Sequence, residues 1–552
     1  LEKYIGEWKN DRMEGEGTYS DSKGNKYKGS WKNNQKNGQG TFSDDLGHRY
    51  TGAWKDGKRE GKGTYSFAGQ KKSEDDIVDG LYLKGTRYVG EWKNNKFHGQ
   101  GAFKYLNGDS YEGAWEMDMR HGKGIFTAFN GEHYEGDWEN DLKHGIGQME
   151  FNNGDSYKGS WVNNFIEGEG EMVYDNGDSY KGGWAKGLKQ GDGYYQYGNG
   201  ESYNGAWVND SKTGRGTYNY INGDIYEGAW NNGSRDGHGI LKNKDGSNYK
   251  GGWLNDQIEG IGTYSYTNGD KYVGEWKNNQ KNGKGKIVYT DGDTYDGSWE
   301  KDMKNGDGIA TFIVDGVIYK GAFENNLYHG IGEYSSSLGD NFSGEWRLGK
   351  KHGKGTFESS MGDKYEGDWV NGLKHGQGKY EFADGDQYNG DWVDGVMNGK
   401  GAYIFSNGGV CEGKFVNGKV DGQGIYVYPN GDKYVGTFRL GIREGNGSCN
   451  FANGESYVGD WENDQINGSG KYKFRNGNTY EGEFFNGIMD GQGAYNFKNG
   501  NLYIGEFNKG KREGLGVFTY KNGNKYIGEF KDGNMDGQGT FTYPNGDKRV
   551  GV

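Results

Sequence analysis

Cysteine and proline are almost absent, at two residues each in 552. Two cysteines exclude a disulfide scaffold. Two prolines and no Gly-X-Y triplet exclude collagen. No apolar run approaches the roughly 18–20 residues of a membrane span, and no polybasic cluster or lipidation motif is visible. The N-terminus, Leu1-Glu2-Lys3-Tyr4, has no basic segment leading into an apolar one, so it does not read as a signal peptide. It also lacks an initiator Met, so the numbered chain reads as a processed or partial product. A basic excess is missing too. Sixty-six Lys/Arg against 79 Asp/Glu leave a net charge of −13, which disfavours broad binding to nucleic acid or anionic lipid. Hydrophobic residues reach only 31%, too few for several ordinary cores.

Two residue classes are abundant instead. Glycine supplies 110 residues, and aromatics make up 16%, with 17 Trp, 44 Tyr and 25 Phe. A disordered Gly-rich chain would be poor in rings. The chain therefore folds by packing rings against glycines, and the expectation is a sheet with no enclosed interior.

The rings recur with a 23-residue period. Tyr4, Gly6, Trp8, Gly15, Gly17 and Tyr19 reappear as Tyr27, Gly29, Trp31, Gly38, Gly40 and Phe42. Units begin at Tyr4, Tyr27, Tyr50 and Tyr88, then every 23 residues to Tyr295, and from Tyr319 to Arg549. All 17 Trp occupy one slot, and Phe323, Phe415, Phe438, Phe484, Phe507 and Phe530 fill it in the other complete units. The domain expectation is one continuous array over 1–552.

Spacing gives the local structure. Tyr4, Gly6 and Trp8 share a parity and face one side of a strand. Gly15, Gly17 and Tyr19 form the matching second strand, with both glycines placed under rings. Lys9–Glu14 reads as a polar turn, and Asn-Gly pairs such as Asn107-Gly108 read as the tight hairpin turns. The predicted fold class is all-β: an elongated, twisted antiparallel ribbon, solenoid-like, of about 23 stacked hairpins with no helices.

These residues carry a resemblance. Glu91-Trp92, His98-Gly99-Gln100-Gly101 and Asn107-Gly108-Asp109-Ser110-Tyr111, repeated over the whole chain, resemble the MORN repeat (membrane occupation and recognition nexus). That family includes radial-spoke head proteins of cilia, junctophilins that tether membranes, and scaffold proteins of protist cytoskeletons. Other members attach the repeats to lipid kinases or methyltransferases.

Two interruptions break the period. Fifteen extra residues at 69–83, GQKKSEDDIVDGLYL, read as a lengthened loop. Its charged half, Lys71, Lys72, Glu74, Asp75 and Asp76, is a candidate docking projection. One extra residue near Phe312–Asp315 reads as a β-bulge. Residues 101–240 hold 22 Asp/Glu against 11 Lys/Arg, a solvated surface or an acidic docking surface for a basic partner. Trp161, Trp184 and Trp207 are candidates for an open aromatic face that takes a partner's helix or extended segment. Val550 and Val552 are candidates at an open sheet end, where a partner or a second copy pairs.

Chemistry is sparse. His98, His121, His144, His329, His352 and His375 share one slot, but neighbouring units put them roughly 10 Å apart, too far for one zinc. Cys411 and Cys449 lie about 14 Å apart by strand count and read as free thiols. The Gly-x-Gly pairs lack the strand–loop–helix context of a phosphate loop. No catalytic, metal or cofactor site is read, and the chain is expected not to be an enzyme. The resemblance implies a non-catalytic structural scaffold or interaction protein, cytoplasmic and cytoskeleton-associated, in a ciliary or flagellar axoneme of radial-spoke type. Two alternatives stand: a phospholipid-associated membrane tether, and a regulatory subunit of an enzyme complex.

Overall fold

Alternating ring and polar positions force extended chain, because only a period of two puts Tyr, Gly and Trp on one face. The computed structural model describes residues 1–68 and 85–552, and these residues contain strands and turns but no helix. The insertion expected at 69–83 falls outside them, apart from its neighbours. Two compact units are present, Leu1–Asn279 and Gln280–Val552. The first runs from β1 (Lys3–Lys9) to β23 (Lys271–Lys277) and the second from β24 (Gln280–Val288) to β47 (Lys548–Gly551). Within each, successive strands pair antiparallel, hairpin after hairpin, as in β13 (Ser156–Val162) with β14 (Phe165–Val173) and β14 with β15 (Ser179–Ala185). Among the described residues β1 pairs only with β2 (Arg12–Ser20), so the sheet of the first unit is not closed into a barrel.

The unit around Tyr157 shows why this sequence makes this hairpin. β13 and β14 are joined by Asn163-Asn164, both left-handed at φ 50° and 69°. Two positive φ values define the type I′ turn, whose twist matches that of paired strands, and Asn tolerates them. This corrects the expected turn chemistry. The tight turn follows the Trp strand, and Lys9–Glu14 reduces to a two-residue turn with β2 starting at Arg12. The Asn-Gly segment sits instead in a five-residue turn: Tyr174 N donates to Asp178 O and Gly177 N to Tyr174 O. There Gly177 is left-handed, and Asn176 Oδ1 accepts from Asp178 N.

The two glycines of each Gly-x-Gly do different work. Gly159 pairs with Gly170 and Trp161 with Ile166, so Ser160 alone faces Glu167, Gly168 and Glu169. That is a bulge, and Gly168 takes φ 77° in it. Gly170 lies in regular strand beneath the Tyr157 ring, where any Cβ would overlap the ring. Only the second glycine therefore faces a ring.

The single-residue insertion is not a bulge. β26 (Met303–Phe312) and β27 (Val317–Glu324) keep unbroken register out to an added Phe312–Val317 pair. The extra residue lengthens both strands, and a four-residue turn, Ile313–Gly316, closes them.

Candidate interaction surface

The ring face is enclosed. Tyr157 lies flat on Gly159 and Gly170. The edges of Trp161 and Trp184 wall it at 5.4 and 5.7 Å, both T-shaped, a geometry favoured by the ring quadrupoles. Buried Ile166, paired with Trp161, holds the slot that covers the ring in other units, as Tyr328 stacks on Tyr319 at 3.8 Å. The Tyr157 hydroxyl donates to Ser160 O at 3.1 Å, the carbonyl that the bulge leaves off the ladder. Trp184 Nε1 donates to Gly170 O at 3.3 Å, tying one unit to the one before. The result is a row of boxes, each shared by two units. The leading tyrosine of an interior unit is close to fully buried, whereas Trp8, which has no preceding unit in this sequence, is 60% exposed.

This corrects two expectations. The sheet does have an enclosed interior, one ring deep, because its own side chains fold over it. Trp161, Trp184 and Trp207 are 3–5% exposed, so they form walls of that interior and not an open face for a partner. Sequence parity assigned their face correctly, but the covering side chain was missed. It stands five residues after the Trp and varies in type: Lys36, Arg59, Phe97, Ile166, Tyr328, Met397. What these share is length with an apolar stem, which no single-residue motif displays.

Where the cover is cationic, its head sits over rings. Arg120 lies 4.1 Å from the Trp138 ring, and its Nε meets Asp141 Oδ1 at 3.0 Å. Asp141 is the second residue of the next tight turn, and Arg235–Asp256 and Arg443–Asp464 repeat the pair. After Lys36, Lys351 and Lys374 that turn position is Gly57, Gly372 or Gly395. Lys351 Nζ lies 4.1 Å from Phe357, 4.9 Å from Trp369 and 5.0 Å from Phe342. Burial pushes these three ammonium groups down to about 8.

A pH dependence follows. Between about pH 8 and the ordinary lysine value, the unfolded chain holds more protons at these sites, so stability rises with pH. The tyrosines act oppositely. Burial holds Tyr388, Tyr434, Tyr480 and Tyr503 up at about 12. Their stabilisation is whole below pH 10, where unfolded tyrosine is neutral, and is lost as pH rises through 12. Urea unfolding followed from pH 7 to 12 is expected to show a gain from 8 to 10 and then a steep loss. The triple variant Lys36→Met, Lys351→Met, Lys374→Met should reduce the gain and keep the loss, the remaining gain coming from Lys143, Lys212, Lys281 and Lys304, which burial also lowers.

Lys71, Lys72, Glu74, Asp75 and Asp76 lie outside the described residues. Val550 and Val552 are 74% and 95% exposed, Val550 on the solvent face of β47. The acidic stretch is partly spent on structure. Asp155 Oδ1 accepts from Asp175 N, Asp178 Oδ1 from Gly198 N and Asp224 Oδ1 from Lys244 N, each bond joining one five-residue turn to the next. Asp141 and Asp210 similarly accept the backbone N–H of Arg120 and Lys189. These carboxylates hold units together and subtract from any acidic docking surface. His121 and His144 pair with Glu116 and Glu139 at 3.5 and 3.3 Å, and no metal-binding cluster is found among the described residues. Cys411 and Cys449 are buried free thiols, raised to about 11 by burial.

The repeat has a family counterpart. The MORN repeat profile matches 23 segments, from 4–26 and 27–45 through 88–110 to 526–548, together nearly the whole chain. The chain belongs to the MORN repeat family. MORN arrays are repeat scaffolds and interaction modules, and that coarse description applies here. No curated protein matches the sequence. Among solved structures, the TCP10 domain of Danio rerio CPAP, in complex with a peptide of Danio rerio STIL, is similar at 12% identity and TM-score 0.23, over 40% of this chain and 92% of that one. The SAS-4 TCP domain of Drosophila Melanogaster, with a proline-rich motif of Ana2, gives 13% and 0.17 over 32% and 84%. Virginiamycin B lyase from Staphylococcus aureus gives 11% and 0.10 over 60% and 92%. Likeness at this level carries no argument about function.

The surface left for recognition is the opposite, solvent-facing side. It carries the residue after each leading Tyr and the residue directly after each Gly-x-Gly, paired in register as in Lys158–Glu171. These positions change from unit to unit more than the leading Tyr, the Trp or Phe slot and the paired glycines do.

Proposed function

We propose that this MORN chain is a non-catalytic scaffold of a cytoskeletal assembly, the setting implied by its resemblance being a ciliary or flagellar axoneme of radial-spoke type. It holds protein partners along its solvent face. The observation that carries this reading is the division of labour between the faces. The ring boxes are filled by the chain itself, whereas the solvent face varies along the chain, from Lys158–Glu171 to Ile504–Val517. A constant frame with a variable surface suits several partners at fixed spacing.

Detergent fractionation of ciliated cells expressing the tagged chain tests this. Retention with demembranated axonemes and release by high salt supports the scaffold. Complete release with the detergent-soluble membrane fraction overturns it in favour of a tether.

A further inference from the structure

Six consecutive strands at the end of the second unit carry an uncharged ladder on the solvent face. Ala494 of β42 (Ile488–Asn496) pairs with Ile504, Ile504 with Val517, Val517 with Ile527, Ile527 with Thr540, and Thr540 with Val550. Neighbouring Leu515 is 71% exposed, and Ile504 and Ile527 are about half exposed. From Ile504 to Val550 these side chains, with Gln492, Gln538 and backbone glycines between them, line a shallow groove of about 490 Å³. Charge interrupts the same row at Lys320, Glu333, Glu366 and Lys379, and the uncharged run from Thr41 to Ala102 is one strand shorter and built largely of threonine.

The flanks differ in sign. On the side of the tight turns stand Glu483, Glu506 and Glu529, one per unit. On the side of the five-residue turns stand Lys525 and Lys548. An occupant needs an apolar seam with cations along one flank and anions along the other. The backbone of the groove is already consumed, since strands β43 (Leu502–Asn508) to β46 (Asn534–Thr542) are paired on both sides. An extended peptide lying across them would bury its own amide groups unpaired, whereas a helix brings them paired. The spacing agrees. Two strands occupy about 9.6 Å and one heptad of helix about 10.5 Å, so each unit meets one heptad. The ladder spans about 24 Å, or roughly 16 helical residues.

We infer that this groove takes an amphipathic helix of a partner protein, lying across the strands with its aliphatic seam on Ile504, Val517 and Ile527 and its basic flank against Glu506 and Glu529. This rests on the scaffold reading and names the chemistry of one partner.

The test uses the full chain and a labelled synthetic three-heptad peptide, Leu at a and d, Lys along one flank and Glu along the other, followed by fluorescence anisotropy. Saturable one-to-one binding is expected. Ile527→Lys should weaken it at least tenfold with an unchanged melting profile, because Ile527 faces solvent. Glu506→Lys with Glu529→Lys should weaken it similarly, and a peptide with Glu along both flanks should restore it, since Lys525 and Lys548 already stand on the other side. Equal affinity for Ile527→Lys, or for a peptide with a shuffled heptad, overturns the inference. So does groove-dependent self-association in sedimentation, or groove-dependent binding to phosphatidylcholine vesicles without peptide binding. Axonemal retention together with peptide failure removes this inference and leaves the scaffold standing.

Discussion

Gly170→Ala is expected to cost about 3 kcal/mol, at the upper end for overpacking a filled site. The new Cβ would overlap the Tyr157 hydroxyl and ring carbons, and that ring is fully buried. Between Trp161, Trp184 and Ile166 it has no space to retreat into. Moving it also breaks the hydroxyl's bond to Ser160 O, leaving a carbonyl unpaired. Gly168, two residues earlier, gives the contrast. Its added Cβ would come no closer than 3.3 Å to Ser160 Cβ, but φ is 77°. There the penalty is backbone strain of about 1–2 kcal/mol for Ala, and Asn, which tolerates left-handed backbone, should recover much of it. So Gly168→Asn is expected to be mild and Gly170→Asn severe. A long array does not unfold as one two-state body, so the readout is local: hydrogen exchange of the Tyr157–Gly170 hairpin against distant units. Equal effects of Asn at the two positions would mean that the two glycines share one role.

That contrast marks the boundary of what the sequence displays. Periodicity fixed the strands, the pairing order and the shared face of Tyr157 and Trp161, because side-chain direction in a strand depends on parity alone. Both glycines recur in every complete unit, so recurrence could not separate the one in the bulge from the one under the ring. The difference is two residues of register: Gly159–Gly170 is followed by Trp161–Ile166. Turn type was misplaced for a related reason. Asn-Gly is the stronger composition signal, yet left-handed pairs fall on Asn163-Asn164, Asn140-Asp141 and even Met117-Asp118. The twist of paired strands selects that geometry, and residue preference is only permissive. The groove at Ile504–Ile527 needed the register as well. Ile504 and Val517 are thirteen residues apart, and only the hairpin makes them neighbours.

Trp184→Ala is expected to be the most damaging single change of the set, at about 3–5 kcal/mol for a buried Trp. Trp184 serves two boxes at once, its edge 5.7 Å from Tyr157 and 5.0 Å from Tyr180. Its indole N–H is also the bond to Gly170 O that joins consecutive units. Truncation opens a void between two tyrosines that are otherwise fully buried and removes that join, so protection should fall in both adjoining hairpins. Trp184→Phe separates packing from hydrogen bonding. Phe occupies this slot in several units and keeps the T-shaped contact, as Phe323 does at 5.1 Å from Tyr319. Its expected cost is about 1 kcal/mol, that of the lost hydrogen bond. Because Trp184 and Gly170 act on the same box, Trp184→Ala with Gly170→Ala should cost less than the two separately, since the void gives the displaced Tyr157 ring somewhere to go. An open aromatic face would behave otherwise: Trp184→Ala would leave hydrogen exchange unchanged and remove a partner. Loss of protection in both hairpins, relieved in the double variant, is the outcome required of a ring row that the chain encloses by itself.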